Sequence, residues 1–475
     1  MSAGAPGTDR PSGTSAPERT PLSEHVADAV ALLAAVRRTE RIRVGHEAVG
    51  RVSAADRRAA VDVPGHDNSQ MDGYAVATAD LGERAGTAGA PAAGLTMPLG
   101  PTIAAGDPPA DHRPGTAAPI MTGAPIPRGA DAVIPVEESE AGRFAGEQHG
   151  APAHTVTLRP ATTEPGRYVR RRGSDTHHGD VILREGQVLT PARIAHLAAC
   201  GVTDVEVIAP VRTIVLSTGS EVTAAPADPA APTAPDAAGS AATHLPDGAT
   251  FDANGPGLAA ALTAAGAQVV HVGSVPDDAE QLLATLRHLV TTHDAELIVT
   301  SGGVSMGAFE VVRHAASRSG VTLTFTSVAM QPGGPQGIGT LDLPAEEHGA
   351  PGQHVTPGQH DAADHRVAWL AFPGNPVSAL LSCELIARPA LGAPDRLRLR
   401  LPVQLDADEP SPPALAQYRR ARVLPSGQVR LAGGPSSHLI GGLAQADALV
   451  LVPVGTDTLR DGDLVETILL PGGER

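Results

Sequence analysis

Five carboxylates stand where a chain could use them for chemistry. Asp72, Asp175, Glu221, Asp277 and Glu310 each border a glycine turn or a strand end, on segments far apart in sequence. Taken singly, such acids are usually solvated surface. Taken together, hard oxygen donors suit Mg²⁺ bridging a pyrophosphate, where the ion polarises phosphorus and lowers the pKa of a bound water. Asp277 and Glu310 lie nearest the glycine loops of the second half, which makes them the candidate metal ligands. Those loops are Thr218-Gly219, the run Ser301, Gly302, Gly303, Val304, Ser305, Met306, Gly307, and the run Pro373, Gly374, Asn375, Pro376. Glycine lets a backbone approach an anion closely, and amides at the start of a helix point toward it. One such loop reads equally as a phosphate site or a tight turn; three at neighbouring strand ends read as a pocket for a phosphate-bearing ligand.

The elements around these loops alternate. Thr213–Ser217 is a buried-strand run, 257–265 a helix, 268–273 a strand, 279–292 a helix and 296–300 a strand. The 301–307 loop is expected to open a helix through Ser317, with a further strand at 366–372 and helix at 376–388. This βαβ rhythm predicts a parallel sheet with helices on both faces. Ligand loops of such sheets lie at the carboxyl ends of the strands, where all three glycine motifs fall.

The first half reads differently. Leu22 to Arg38 carries a helical apolar stripe with Ser23 as a candidate N-cap. Short strands broken by Gly and Pro follow to about Arg159, then a helix capped by Thr190 and a return strand to Val207. The expected divisions are a disordered tail at 1–20, a β-rich region at 21–210, an α/β domain at 211–394 and a small β domain at 395–475. Two low-complexity insertions, 224–249 and 345–365, interrupt the α/β domain. His348, His354, His360 and His365 are spaced too loosely for a compact zinc motif, so a solvated loop off the core is expected.

The 475 residues hold 52 acids against 35 bases, a formal charge of −17, and every base is arginine. An acidic chain is a poor partner for nucleic acid or anionic membrane, and the absence of lysine excludes Schiff-base chemistry. Any anionic substrate must be held by local arginines, backbone amides or a metal. Cys200 and Cys383 cannot build a disulfide framework and fit a reducing cytoplasm. Met1 to Thr20 has no apolar signal-peptide core, and no stretch reads as a membrane span.

One string is distinctive as a whole: Asp62-Val-Pro-Gly-His-Asp-Asn-Ser-Gln-Met-Asp72-Gly-Tyr-Ala-Val76, turn chemistry running into a strand. It resembles the signature loop of the MoeA/gephyrin E-domain family, molybdopterin molybdenumtransferases. Met121-Thr-Gly-Ala-Pro-Ile-Pro127, Arg170-Arg-Arg-Gly-Ser-Asp175, Leu216-Ser-Thr-Gly-Ser-Glu221, Val299-Thr-Ser-Gly-Gly-Val-Ser-Met-Gly307 and Phe372-Pro-Gly-Asn-Pro-Val-Ser378 follow in the family's order. The similarity runs from about Pro21 to the C-terminus.

The resemblance implies a MogA-like α/β domain, β-rich N-terminal domains and a C-terminal β-barrel. It implies that adenylylated molybdopterin binds at the glycine loops, that molybdate is inserted, and that AMP leaves in a Mg²⁺-dependent step. Asp72, Thr122, Asp175, Glu221, Asp277 and Glu310 match the family's active-site positions. Arg170 and its two neighbours would add cations, and Ser437-His438 would close the far side. The family's N-terminal half reaches the α/β domain of a partner subunit, so a homodimer is expected. Glu310 stands where the family more usually has aspartate. A larger departure is Gln331-Pro-Gly-Gly334-Pro, with Ser327 before it, where the family carries three lysines. Gln331 is expected to point into the anion pocket, with Arg313 as the compensating cation. Without those lysines, a binding paralogue or scaffold that has lost insertion is the alternative reading. A nucleotide-cleaving relative sharing only the α/β domain is disfavoured by the full set of N-terminal loops.

Overall fold

A computed structural model describes residues 19–85, 94–145, 154–223, 245, 247–305, 310–343 and 365–471. The chain forms two compact units, one of residues up to Glu40 together with Ile208 onward, the other Arg41–Val207. Residues 1–18 and nearly all of both insertions lie outside the described residues.

The larger unit is built on a six-stranded sheet. Its order is Gln268–Val275, Arg212–Thr218, Leu297–Ser301, His365–Phe372, Pro335–Leu343, Val321–Ser327. The first four strands run parallel. Thr213 to Thr218 and all of Leu297–Ser301 are buried, as expected of parallel strands covered on both faces. The helices Asn254–Ala264, Ala279–His293 and Pro376–Ser382 connect or follow these strands. Asp278 caps the second of them, accepting from the N–H groups of Glu280 and Gln281 at 2.9 and 2.8 Å. Trp369 lies fully buried in the apolar cluster with Leu283, Ile298, Val312 and Leu341, its indole N–H donating to Thr300 Oγ1 at 3.0 Å.

Three expectations are corrected here. The sheet is mixed, because Pro335–Leu343 and Val321–Ser327 join as an antiparallel ribbon. Gly337 and Gly339 look like breakers but are required by close approach. A Cβ on Gly339 would sit 1.7 Å from Thr322 O, and one on Gly337 would press on the Phe325 ring at 3.1 Å. The helix after the 301 loop is a short Val311–Ala315 and does not run to Ser317. The first helix is Leu22–Ala34, entered from Pro21 without a side-chain cap, so Ser23 is not its N-cap. Its buried Ala29 and Leu33 join the α/β core with Val215 and Leu370, although the pattern division at 210 groups it with the β-rich half.

His25 of this helix is 1% exposed, and burial holds its imidazole below the ordinary value of 6.5, partly offset by Asp28. The unfolded chain protonates His25 below 6.5, whereas the folded chain resists until lower pH. Stability from this group is therefore complete above 6.5 and declines as pH falls below it. Thermal midpoints at pH 7.5 and 5.5 are expected to lie closer together in His25→Leu than in the native chain. Equal spacing in both would show that His25 titrates normally.

Toward the C-terminus five strands close on themselves. Ala416–Val423 pairs with Val429–Leu431, which pairs with Arg398–Gln404, then Leu464–Leu469, then Ala448–Val452, which returns to Ala416–Val423. Closure leaves this ring little free edge. The short strand Met330–Gln331 adds to it alongside Ala416 and Gln417.

In the Arg41–Val207 unit, Gly73–Val76 is the central, fully buried strand between Ala118–Ile120 and Ala132–Pro135. Gly73 is obligatory, since a Cβ would lie 2.2 Å from Ile134 O. The helix Pro191–Ala199 starts as its sequence predicts, with Thr190 Oγ1 accepting from Arg193 N–H at 3.3 Å and Pro191 in the first turn.

Candidate functional site

The strands Arg212–Thr218, Leu297–Ser301 and His365–Phe372 are parallel neighbours, so their carboxyl ends open on one side of the sheet. The loops that follow come together there as a cleft of about 520 Å³. Their backbones touch because glycine removes the side chains between them. Gly302 has φ +102°, and a Cβ on it would lie 2.5 Å from Thr218 Oγ1 and 2.8 Å from Thr218 O. A Cβ on Gly374 would meet Gly302 Cα at 3.2 Å. Hydrogen bonds lock the arrangement. Gly302 N–H donates to Phe372 O at 3.0 Å, Ser301 Oγ to Pro373 O at 3.1 Å and Thr218 Oγ1 to Ser301 O at 3.3 Å.

Thr218, Gly219, Glu221, Asp277, Gly302, Gly303, Ser305, Glu310, Pro373, Gly374 and Pro376, all anticipated from sequence, line this cleft. Two of the acids are hinged to neighbouring serines. Ser220 N–H donates to Asp277 Oδ2 at 3.2 Å while Ser220 Oγ accepts from Asp277 N–H at 3.2 Å. Glu310 accepts from Ser305 N–H at 2.9 Å and Ser305 Oγ at 2.5 Å. Glu221 folds its carboxylate over Gly219, where a Cβ would be 2.7 Å away.

Asp252 and Asn254 were missed. Asp252 lines the cleft and accepts from Ser217 Oγ at 2.8 Å and Gly255 N–H at 2.9 Å; Asn254 Nδ2 donates to Gly374 O at 2.7 Å. The available signal was Asp252-Ala-Asn254-Gly255 at the start of a helix, a capping pattern standing just beyond the Ala/Pro-rich insertion.

The cleft is acidic. Glu221, Asp252, Asp277 and Glu310 face it, and no arginine or histidine lines it among the described residues. No group of three or more His, Cys, Asp or Glu among the described residues is arranged to hold a metal unaided. The donor set fits Mg²⁺ in its usual manner, through one or two carboxylates with substrate phosphates and water completing the shell. Asp277 and Glu310, both lining the cleft, are the carboxylates that could serve as its ligands.

Other expectations fall elsewhere. Ser301 is buried beneath the cleft floor, and Asn375 precedes the helix Pro376–Ser382 without capping it through its side chain. Gly307 lies outside the described residues. Gln331 does not line the cleft, since its Oε1 accepts from Gln417 Nε2 at 3.0 Å. Arg313 is committed to packing, donating from Nε to Val304 O at 2.9 Å with its guanidinium 4.3 Å above the Phe325 ring. Ser437 is not a lining residue either; Ile440, three positions on, supplies that wall.

Within the Arg41–Val207 unit, Asp72 and Thr122 are brought together, with Thr122 N–H and Oγ1 donating to Asp72 Oδ1 at 2.7 and 2.9 Å. Asp175 donates its N–H to Val63 O at 3.0 Å, which places the 170–175 loop on the signature loop. Arg170 is exposed opposite Asn68. Its neighbours are not available as free cations. Arg171 pairs with Asp67 at 2.7 Å and Arg172 with Asp62 at 2.5 Å. The backbone N–H of His178 together with Arg172 holds the Asp62 carboxyl below its ordinary range, and the Arg172 N–H followed by Arg171 does the same for Asp67.

Comparison with known proteins agrees with this geometry. Residues 20–201 match the MoeA N-terminal region (domains I and II), 214–393 the probable molybdopterin binding domain, and 402–470 the MoeA C-terminal region (domain IV). Molybdopterin molybdenumtransferase 2 of Mycobacterium tuberculosis (strain ATCC 25618 / H37Rv) is 37% identical over 421 residues, 86% of this chain and 89% of that protein. Molybdopterin molybdenumtransferase of Synechococcus elongatus is 30% identical over 445 residues, 93% of this chain and 96% of that protein. A solved molybdopterin biosynthesis MoeA protein from Pyrococcus horikosii shares the fold with TM-score 0.68 at 23% identity, covering 95% of this chain and 99% of that one. With motifs, domain series and fold in agreement, the chain belongs to the MoeA family of molybdopterin molybdenumtransferases.

Proposed function

We propose that this chain is a Mg²⁺-dependent molybdopterin molybdotransferase, which inserts molybdate into adenylylated molybdopterin and releases AMP. The observation that carries the reading is the cleft itself. Four carboxylates and no described basic side chain face a space whose walls are glycine backbone. A pyrophosphate-bearing ligand would be repelled there unless a divalent cation stood between its oxygens and those acids.

The chain's own groups have distinct tasks. The backbone of Gly302 and Gly303 lets a phosphate approach closely. Asp277 and Glu310 are held in place by Ser220 and Ser305, so their charge is fixed where the cation binds. Mg²⁺, when bound, offsets phosphate charge and makes phosphorus more electrophilic. Water then adds to the phosphoanhydride and AMP departs. The Glu221 carboxylate accepts no hydrogen bond among the described residues, its backbone carbonyl alone being engaged by Thr250 N–H at 2.9 Å, and is free to take the proton. The working unit is a homodimer, as the family resemblance implies, and sedimentation of fully active protein at the mass of one chain would overturn that.

AMP release from adenylylated molybdopterin, followed by chromatography, tests the function. Release is expected only with Mg²⁺ and to be accelerated several-fold by molybdate. Release that ignores molybdate would mark a nucleotide-cleaving protein. Tight binding without release would favour a carrier of the cofactor precursor, the reading suggested by the lysine-free turn at Gln331–Gly334.

A further inference from the structure

A second cavity, of about 350 Å³, lies within the larger unit, where the helix Leu22–Ala34, the chain after Ser382 and the C-terminal ring of strands meet. It shares no residue with the cleft at the glycine loops. Much of its wall is apolar, from Leu22, Val26, Leu385, Pro389 and Ile468, yet Arg388, Arg396 and Arg398 also face it. Backbone geometry places the first of these arginines. Pro389 has no N–H to offer the carbonyl of Leu385, so an α-helix cannot run through it unchanged. The chain widens instead. Cys383–Ala387 is π-helical, with Arg388 N–H donating to Cys383 O, five residues back. Such widened turns recur at functional sites.

Arg388 is 9% exposed. Its Nη2 donates to Pro394 O at 2.8 Å, whereas Nε is buried without a hydrogen bond, 3.6 Å from Glu384 Oε1. That carboxylate is already taken, since Arg396 holds both its oxygens, from Nε at 2.6 Å and from Nη2 at 3.1 Å. Two guanidinium groups thus converge on one carboxylate and leave positive charge uncompensated at that point. Arg398 is matched separately by Glu466. Asp395 also lines the cavity, but Arg388 feels it as the weakest of its charged neighbours. Burial, and then the charge of Arg396, hold the Arg388 guanidinium below its usual range, as expected of a cation short of partners. On the barrel side Tyr418 is 8% exposed, and its hydroxyl has no hydrogen-bond partner among the described residues.

An under-neutralised guanidinium, a phenol O–H and apolar walls suit a ligand with one anionic end and an apolar body. A single guanidinium to spare favours a carboxylate over a phosphate dianion, and a planar carboxylate matches its fork of N–H groups. We propose that this cavity binds a small monocarboxylate with an aromatic or aliphatic body, its charged end toward Arg388 and Tyr418 and its body against the apolar wall. The site does not depend on the chemistry assigned to the cleft.

The test is calorimetric titration of the full-length protein with phenylbutyrate and with octanoate, each set against its neutral amide. At least one carboxylate is expected to saturate a single site, and its amide to bind at least tenfold more weakly, equivalent to about 1.4 kcal/mol. Arg388→Gln keeps an N–H for Pro394 O and is expected to bring the carboxylate down to the affinity of the amide. Tyr418→Phe should weaken it several-fold. Ser23→Phe guards against misfolding of the buried-arginine variant. Ser23 is an exposed residue of the cavity wall, so the added ring obstructs the space while every arginine stays in place. Binding should be lost in this variant with circular dichroism unchanged. No saturable binding by either carboxylate overturns the proposal, as does equal affinity for acid and amide. Binding that survives both Arg388→Gln and Ser23→Phe also overturns it, by placing the carboxylate elsewhere on the chain.

Discussion

Asp277→Asn is expected to lower AMP release at saturating Mg²⁺ by at least a hundredfold, about 2.7 kcal/mol of barrier, while leaving the thermal midpoint nearly unchanged. The substitution keeps size and shape, and the amide oxygen can still accept from Ser220 N–H, so the hinge between the two loops survives. Only the charge is lost, in a cleft where, on the proposed function, charge holds the cation. The adjacent acid gives the contrast. Asp278 caps the helix Ala279–His293, so Asp278→Ala should cost about 1 kcal/mol of stability and little activity. Normal turnover by Asp277→Asn at low Mg²⁺ would show that the cation is held elsewhere.

Gly302→Ala should be as damaging, by a different route. Its φ of +102° strains any side chain, and the new methyl would stand 2.5 Å from Thr218 Oγ1 and 2.8 Å from Thr218 O. Backbone cannot yield as a side-chain tip can, so the loops after Thr218 and Ser301 must separate. About 2–3 kcal/mol of stability should be lost, read as a fall of several degrees in the thermal midpoint. AMP release should fall about a hundredfold, because displacement of about 1 Å at a positioning loop is enough to do so. Wild-type turnover by this variant would mean that the close approach of the two loops is irrelevant to catalysis.

Much of this site was legible beforehand, for identifiable reasons. The βαβ period set which strands are parallel, and parallel strands put their following loops on one side. Asp277 and Glu310, 33 positions apart, could thus be assigned to the same cleft. What was illegible depended on contacts that no local pattern encodes. The strand Pro335–Leu343 went unassigned, because a glycine required by a neighbouring strand, as Gly337 and Gly339 are, looks the same as a glycine that breaks one. Asp252 was hidden by the composition of the segment before it. Gln331 was aimed at the cleft on strand logic, but its partner Gln417 lies 86 residues away in the barrel. Arg19, over 300 positions from Gly334, could be placed beside it only in three dimensions.

The burial of Trp369 has a practical consequence. It is the sole tryptophan of the chain, shielded from water in the sheet, with its ring nitrogen tied to the residue just before Ser301. Intrinsic fluorescence excited at the indole band therefore comes from one place, the layer beneath the glycine loops. A red shift on denaturation times the opening of that layer alone, and its disagreement with far-ultraviolet circular dichroism would reveal that the rest of the chain melts separately. The molecule carries its own optical gauge of the layer on which the cleft rests.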